Sequence, residues 1–453
     1  MSYHEAVQVA LSTPRRPQRN PFCEVTEVKN VAVNSARNCE QCPRREIDGV
    51  SQTMSNRWVV EPGAWPPMRS AQLNSISASH ALRVAYVETA RLATLLKSSP
   101  STVLGIVCHE RIPGQLNGLG AYPVVCLDIP QFNWPSLAEV WTSTLPLTYH
   151  QADGIHCAMN DEVFFGALQL AESPGTLLDT VTYTAYRRLL VQARALGYPH
   201  LLRVWNYFPH INLESDGLER YQRFCAGRHQ ALAEGLTGFP HTLPAGTAVG
   251  TMSGPLKIHF LASRQPGTHV ENPRQVSAYE YPLIYGPRSP SFARASLRQS
   301  ISGSHLLIAG TASVVGHVSV HIGDPYKQTL EIMQNLNALL THTEQLHGIT
   351  RGQWYGQALF KIYIRHPEHV AMIRDILQEQ LPSHTQVLYL QGDMCRSELL
   401  LEVEGILGQE RTIDVSQTVS PPRVRLRQSM VSQHAQPDRL RIVSSPDSLP
   451  HAL

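Results

Sequence analysis

The sequence predicts an α+β protein built from two consecutive β-α-β-α-β units, with helices packed on one face of each sheet. The chain has 453 residues, 42% of them hydrophobic, which is enough to bury one large core or two modest ones. Strand-like apolar runs alternate with runs of helical periodicity, and this order occurs twice. The repetition is of element order and not of residues.

The elements of the first unit follow two early strand-like runs, TVLGIVCHE and YPVVCLDI. A strand is predicted over AMNDEVFFGALQLA, a helix over TLLDTVTYTAYRRLLVQARALG and a strand over HLLRVWNYF. A helix over DGLERYQRFCAGRHQALAEGL and a closing strand over TAVGTMSGPLKIHFLAS come next.

The second unit repeats that order. HLLIAGTASVVGH is predicted as a strand, PYKQTLEIMQNLNALLTHTEQL as a helix and QWYGQALFKIYIR as a strand. The helix PEHVAMIRDILQEQL and the strands TQVLYLQGD and LLLEVEGIL complete it. The predicted division is 56–243 for the N-terminal unit with its extra strands and 244–408 for the C-terminal unit. Residues 1–55 and 409–453 are polar, carry no sustained period and are predicted to be disordered tails.

Composition excludes several classes of function. The net charge of +2 is too small, and too evenly spread, to predict a nucleic-acid partner. No apolar run reaches the length of a membrane span, and the N-terminus lacks the order of a secretory signal, so no membrane partner and a cytoplasmic location are expected. Cys39 and Cys42 form the one CxxC motif, but no second ligand pair stands at workable spacing, so no metal is expected.

One arginine falls where a buried apolar residue is expected. Leu218, Tyr221, Cys225, Arg228 and Leu232 step by three and four residues along a predicted helix, which puts Arg228 on its buried face. A buried guanidinium needs an anion beside it, either from a ligand or from an internal salt bridge, unless it reaches past the edge of the helix. The neighbouring Gly227 allows something to approach the helix backbone closely.

A proline-rich loop follows with a second cluster, SAYEYPLIYGPRSPSFARASLRQS, and its polar groups are of two kinds. Arginines bind carboxylates through two parallel hydrogen bonds, and tyrosine hydroxyls orient a ligand without adding charge. The loop supplies Tyr279, Tyr281, Tyr285, Arg288, Arg294 and Arg298. It is either a binding segment or a surface loop with solvated arginines.

Two other segments carry candidate catalytic groups. In the last strand, Glu402 and Glu404 share one face. They are either an acid/base pair or the solvent-exposed side of an edge strand, and the second interpretation is favoured. Residues 302–324, SGSHLLIAGTASVVGHVSVHIGD, are predicted to be one strand with Val314, Val318 and Val320 on an apolar face. His317, Ser319 and His321 would share the opposite face, and two histidines without a clear third ligand do not predict a metal.

Five motifs in this order give the chain a resemblance to a known family. They are NYFPHIN, GLERYQRFCAGRHQAL, SAYEYPLIYGPRSPSFARA, GTASVVGH and CRSELLLEVEG, and over residues 58–407 they resemble the chorismatases. The domains of that family are similar to the Rid (YjgF-like) imine deaminases, so the two units are expected to be Rid-like. Rid-like domains often assemble into trimers, so a homo-oligomer is among the expectations, although two units in one chain can satisfy part of that need internally.

The resemblance implies an enzyme of secondary metabolism that acts on chorismate without a cofactor. Protonation of the enolpyruvyl methylene carbon would be followed by attack of water or a ring hydroxyl and loss of pyruvate. The product would be a hydroxybenzoate or a dihydroxycyclohexadiene carboxylate. Binding of this small dicarboxylate is implied for Tyr207, Arg228, Tyr279, Tyr281, Arg288, Arg294 and Arg396. Cys225, Ala226, Thr311 and Val318 are implied to line the pocket.

The chain departs from the family pattern at one position. The resemblance implies an acidic residue after Gly316 and His317, and this chain has Val318 there. Glu404, His317 and Asp324 are therefore the candidate catalytic residues, with Glu402 as a further carboxylate in reach. A relative that binds a small dicarboxylate with altered or no catalysis, and a Rid-type imine deaminase using Arg396 and Glu404, remain alternatives.

Overall fold

Three larger β-sheets, each with at least one helix on its outer face, and two two-stranded sheets make up the part of the chain that the computed structural model describes. That part comprises residues 82–98, 100–110, 121–215, 217–300, 303–349 and 357–410, all within one compact unit, Trp58–Leu453. Both predicted tails lie outside the described residues, except that residues 409 and 410 belong to the last strand. The CxxC motif also lies outside them.

The first sheet is the smallest and accounts for the early strand-like runs. Its strand order is β1-β4-β2-β3. The strands are β1 (Arg83–Glu88), β2 (Val103–Cys108), β3 (Val124–Cys126) and β4 (Leu137–Thr142). Helix α1 (Thr89–Ser98) covers it with the buried side chains of Leu92 and Leu96. The runs predicted as extra strands of the N-terminal unit thus form a sheet of their own.

The second sheet contains the first predicted unit. Its six strands run in the order β11-β8-β12-β7-β6-β5. The strands are β5 (Thr148–Ala152), β6 (Ile155–Met159), β7 (Val163–Leu170), β8 (His200–Pro209), β11 (Ala245–Thr251) and β12 (Leu256–Ser263), and β9 (Glu214–Ser215) pairs with β10 (Leu218–Glu219) alongside. Helices α2 (Leu178–Ala195) and α3 (Arg220–Gly235) pack on its outer face. Leu218 therefore precedes the helix it was predicted to join.

The third sheet contains the second unit, in the order β13-β14-β15-β20-β18-β19. The strands are β13 (Thr268–Val270), β14 (Ala295–Ser300), β15 (Gly303–Thr311), β18 (Gln357–Ile364), β19 (Gln386–Gln391) and β20 (Leu401–Glu410). Helices α4 (Pro325–His347) and α5 (Val370–Gln380) cover its outer face. The α+β class, the repeated element order and the helices on one face of each sheet are confirmed.

The predicted boundary between residues 243 and 244 is not where the sheets divide. Strand β11 pairs in parallel with β8, and β12 lies between β8 and β7, so both belong to the second sheet. Strand pairing passes to the third sheet only at β13, which begins at Thr268. Pairing partners distant in sequence decide this division, and no local pattern reports them.

The inner faces of the three sheets share one apolar core. It joins Leu104 and Trp141 of the first sheet, Trp205 of the second, and Leu307 and Ile406 of the third. In the described part of the chain, no helix combines the length and apolar character needed to cross a membrane. Edge strand β11 runs beside the third sheet, where single bridges join Ala245 to Ala293 and Gly250 to Asp393. The cavity described next lies along this junction.

Candidate functional site

The buried arginine of helix α3 is the first component of the site. Arg228 is 2% exposed, and its guanidinium lies 4.8 Å from the ring centroid of Phe224. Its Nε and Nη2 atoms find no hydrogen-bond acceptor among the described residues. A buried cation with unpaired donors is costly unless an anion binds there. The glycine at position 227 is required by helix packing and not by the cavity. A Cβ at that position would lie 2.0 Å from the carbonyl oxygen of Asp179 in α2.

Arg294 approaches the same region from the proline-rich loop. Its Nη2 donates hydrogen bonds to the hydroxyl of Tyr281 at 2.8 Å and to the carbonyl of Val276 at 2.9 Å. Its Nε has no hydrogen-bond partner among the described residues, and the nearest carboxylate oxygen, Oε2 of Glu271, is 4.0 Å away. Nη2 is therefore anchored by two acceptors, and Nε retains an unpaired N–H.

Arg396 supplies the third guanidinium, from the segment that leads into β20. It lies 3.9 Å from the ring centroid of Tyr285 and donates to the hydroxyl of Ser319 at 2.9 Å. Ser319 in turn donates to the Glu398 carboxylate at 2.8 Å. Stacking on an aromatic face and a single hydrogen bond hold the side chain while leaving further N–H donors for a ligand.

These groups line one cavity of about 250 Å³. A cavity of about 150 Å³ already admits a benzene ring, so this one is large enough for a substituted ring. The wall combines aromatic side chains with cationic and acidic groups. Its principal polar members are Arg228, Arg294, Arg396, Tyr281, Tyr285, Thr247, Gln275, Glu219, Glu398 and Glu402. Three cationic groups around one small cavity fit a ligand with more than one carboxylate.

Glu402 is the carboxyl group of greatest chemical interest in this wall. It is 5% exposed, and burial together with the negative charge of Glu404 raises its pKa to about 8, against the opposing effect of Arg203 and Arg294. No hydrogen bond from another described residue contributes to this pKa. At neutral pH the group is therefore protonated and can donate a proton into the cavity.

A β-bulge creates the space for Glu402. Along β15 and β20, Ile308 pairs with Gly405 but Thr311 pairs with Val403, so β15 carries one extra residue between these pairs. The N–H of Gly310 in this bulge donates to Oγ1 of Thr247 at 3.0 Å. A Cβ at position 310 would lie 2.0 Å from Oε1 of Glu402. Only glycine leaves room for the carboxyl group in its present position.

Glu404 lies beyond that wall, in a buried ionic network. Its carboxylate is 2.8 Å from Nη2 of Arg203 and 2.8 Å from Nζ of Lys361, and it accepts a hydrogen bond from Thr247 at 2.6 Å. Burial alone would raise its pKa, but Lys361 and Arg203 outweigh burial and lower it. Glu404 is therefore ionised and does not line the cavity, which removes the partner that an Arg396–Glu404 deaminase site requires.

The expectation that these glutamates form the wet side of an edge strand is wrong. Strand β20 lies in the middle of the third sheet, between β15 and β18. Both glutamates face inward and are buried, and Val403 between them is buried on the helical side. The alternating spacing of the two glutamates is compatible with an edge strand or a central one, so no local signal in the sequence favoured Glu402.

The segment expected to form one catalytic strand is divided. Strand β15 ends at Thr311, and β16 (Val314–Val315) then pairs with β17 (Val318–Ser319) in a hairpin that turns at Gly316, where φ is +59°. Val318 is 49% exposed and does not line the cavity, so it does not complete an apolar face with Val314. The residue at this position is therefore not the acid of this cavity.

The other candidate catalytic residues lie outside the cavity. His317 is at the hairpin turn, and its Nδ1 is 3.1 Å from the Tyr285 hydroxyl. Asp324 caps α4, where its side chain accepts a hydrogen bond from the N–H of Lys327. Its carboxylate also forms an ion pair with Lys327 at 3.0 Å. Both have local structural partners that account for their positions.

The predicted ligand-binding residues are only partly brought together. Arg228, Tyr281, Arg294 and Arg396 line the cavity. Arg288 is exposed and, with Ala226, lines a separate depression on the outer side of α3. Tyr279 packs edge-on against His241 and His269.

The remaining predicted residues are packed in the protein interior. Tyr207 lies in the shared core, where its hydroxyl is 2.9 Å from that of Tyr363. Cys225 is buried between the second sheet and its helices. Thr311 donates its hydroxyl hydrogen to the carbonyl of Ala309 and is turned away from the cavity. Among the described residues, no group of three or more His, Cys, Asp or Glu side chains could hold a metal ion.

Comparison with known proteins relates this chain to one family. Residues 139–262 match the family model "Chorismatase FkbO/Hyg5-like, N-terminal". The chain is 33% identical over 330 residues to a 3-hydroxybenzoate synthase of Streptomyces hygroscopicus, covering 71% of this chain and 96% of that protein. It is 35% identical over 311 residues to a chorismatase of the same organism, covering 68% and 89%. A chorismatase crystal structure aligns with a TM-score of 0.63 and 32% identity, covering 74% of this chain and 100% of the other.

Proposed function

Because the chain belongs to the chorismatase family, we propose that it acts on chorismate, cleaves the enolpyruvyl ether and releases pyruvate. The ring product would be a hydroxybenzoate or a dihydroxycyclohexadiene carboxylate, as an intermediate of secondary metabolism. The observation that carries the proposal is the cavity wall in which the buried carboxyl group of Glu402, whose pKa is raised to about 8, lies with three arginines. An anionic substrate and an acid-catalysed first step need this combination.

Chorismate would bind through the unpaired N–H donors of the arginines. Chorismate carries one carboxylate on its ring and one on the enolpyruvyl group. Arg228 offers Nε and Nη2, and Arg294 offers Nε, so these two side chains can hold carboxylate oxygens without giving up their present contacts. Arg396 lies against Tyr285 and adds a third cationic group. Binding a dianion would offset the cost of holding these cations away from water.

Catalysis would begin with proton transfer from Glu402 to the methylene carbon of the enolpyruvyl group. The double bond supplies the electron pair for the new C–H bond, and an oxocarbenium ion remains at the ether carbon. Water then adds to that carbon and loses a proton, which restores the acid and leaves a hemiketal. Collapse of the hemiketal breaks the bond between the ether carbon and its ring-bound oxygen; the proton of the hemiketal hydroxyl passes to that oxygen, and pyruvate and the dihydroxycyclohexadiene carboxylate separate. Loss of water from this diol would give the hydroxybenzoate. General acid help of this kind contributes a factor of about 10² to 10⁴.

The test is incubation of the purified full chain with chorismate, with pyruvate and the ring product measured separately. The unaltered protein is expected to release pyruvate and one ring product in equal amounts. Glu402→Gln keeps the shape of the side chain but has no carboxyl proton, so it is expected to bind chorismate and lose at least about 100-fold in rate. Binding without pyruvate release by the unaltered protein would identify a relative that retains the binding site and lacks the chemistry.

A further inference from the structure

Gln275 lines the cavity but has no part in the proposed proton transfer. Its backbone segment is joined to the β16–β17 turn from both sides. The N–H of Val276 donates to the carbonyl of Gly316 at 2.9 Å, and the N–H of Gly316 donates to the carbonyl of Arg274 at 2.9 Å. These two bonds fix the position from which the Gln275 side chain extends into the wall.

One hydrogen bond determines which way the Gln275 amide points. Its Nε2 donates to the carbonyl oxygen of Val314 at 3.0 Å. A carbonyl can only accept, so the amide nitrogen must face Val314 and Oε1 must face the other way. Oε1 is buried and has no donor among the described residues. A ligand that brings a hydrogen-bond donor to this buried oxygen gains affinity there.

The other unpaired groups of the wall are of the opposite kind. Arg228 and Arg294 present N–H donors, which suit the carboxylate oxygens of a dianion. A carboxylate cannot satisfy Gln275, because both partners would be acceptors. The group that fits Oε1 is a hydroxyl, which is neutral and has one hydrogen to donate.

We infer that Gln275 is a specificity residue that accepts a hydrogen bond at Oε1 from a hydroxyl group on the ligand. This inference rests on the proposed function, because chorismate has one ring hydroxyl beside its enolpyruvyl ether. An otherwise identical dianion without that hydroxyl would leave Oε1 buried and unpaired. The resulting preference for the hydroxylated compound is expected to be about 10- to 100-fold in kcat/KM.

The test compares chorismate with the analogue that lacks the ring hydroxyl, for three forms of the full chain. The unaltered protein is expected to prefer chorismate, and Gln275→Met, which keeps the length but has no acceptor oxygen, is expected to bring the ratio of kcat/KM values close to one. Gln222→Met is the matched control. Gln222 also lines the cavity, packs against Gly286 and has no buried unpaired oxygen, so this variant should keep the original ratio.

The outcomes separate this inference from the proposed function. Equal kcat/KM for both compounds in the unaltered protein, or an unchanged preference in a folded Gln275→Met protein, overturns the role of Gln275 and leaves the proposed function standing. If neither compound is turned over, the proposed function has failed. The role of Gln275 is then tested by the ratio of the dissociation constants of the two compounds, measured by calorimetry. If Gln275→Met does not fold, Gln275→Asn decides, since it keeps the amide but draws its oxygen back by one methylene group, so the preference for the hydroxylated compound must fall.

Discussion

Gly310 and Glu402 meet face to face across strands β15 and β20, where a Cβ on residue 310 would lie 2.0 Å from Oε1 of the glutamate. The bulge in β15 brings the glycine to this position, and the absence of a side chain admits the carboxyl group. The fold thus holds a carboxyl group of raised pKa in the same cavity wall as three arginines. Each prediction below follows from that arrangement or from the groups that maintain it.

Replacing the glycine should disable the acid without unfolding the protein. Gly310→Ala forces the Glu402 side chain to rotate, because the clash is with the free end of a side chain and not with backbone. Pyruvate release should fall at least about 10-fold, with little change in the midpoint of thermal unfolding. Gly405→Ala is the matched control in β20, since its Cβ would meet the ring of Phe360 at 2.7 Å in the core. That variant should lose thermal stability, and equal behaviour of the two variants would contradict the prediction.

The rate should fall as pH rises through about 8. Glu402 donates a proton only while protonated, and its pKa is raised to about 8 by burial and by Glu404. The profile of kcat/KM for pyruvate release should therefore be high at neutral pH and decline on the alkaline side. A profile that rises through this range would show that the ionised form of an acidic group is the active one.

Removing the charge of Glu404 should affect stability and the pH profile together. Glu404→Gln leaves Arg203 and Lys361 without their shared carboxylate, so unfolding by urea should require about 3–5 kcal/mol less free energy. The same change removes a negative charge that raises the pKa of Glu402, so the alkaline decline should move to lower pH. Loss of stability with an unmoved profile would show that Glu404 has only a structural role.

Arg228 should matter for binding and not for folding. Arg228→Met removes a buried cation whose Nε and Nη2 are unpaired among the described residues, so stability in the absence of ligand should be unchanged or higher. Chorismate affinity, measured by calorimetry, should fall about 100-fold because a charge-assisted contact is lost. A large loss of stability with intact affinity would instead indicate an internal salt-bridge role.

Introducing an acid at position 318 should have no catalytic effect. Val318 is 49% exposed on the β16–β17 hairpin and does not line the cavity. Val318→Glu should therefore release pyruvate at the rate of the unaltered protein, with chorismate at saturating concentration. A gain in rate would mean that the hairpin folds over the cavity when substrate binds.

Local sequence patterns were sufficient for the elements and for one part of the site. Helical spacing put Arg228 on a buried face of α3, and the arginine there is buried with free donors. The proline-rich loop was expected to carry binding groups, and Tyr281 and Arg294 line the cavity. Arg288 could not be separated from them by sequence, because nothing local reports that the loop turns its side chain outward.

Features that depend on distant partners were not predictable. The position of β11 beside β8, the extra residue in β15 and the central place of β20 are all properties of strand pairing. Together they make Glu402 a buried acid, which a strand pattern alone could not distinguish from a solvated one. The chain also reverses direction at Gly316, so Val318 does not lie on the predicted strand face. A single glycine in an apolar run was too weak a signal to predict this turn.

Infrared difference spectroscopy of the protonated carboxyl stretch, comparing the unaltered protein with Glu402→Gln, tests the central claim most directly. At neutral pH the unaltered protein should show a C=O band that the variant lacks, and this band should disappear as pH rises through about 8. If no such band is lost on substitution at neutral pH, Glu402 is ionised there and cannot be the acid that begins the reaction.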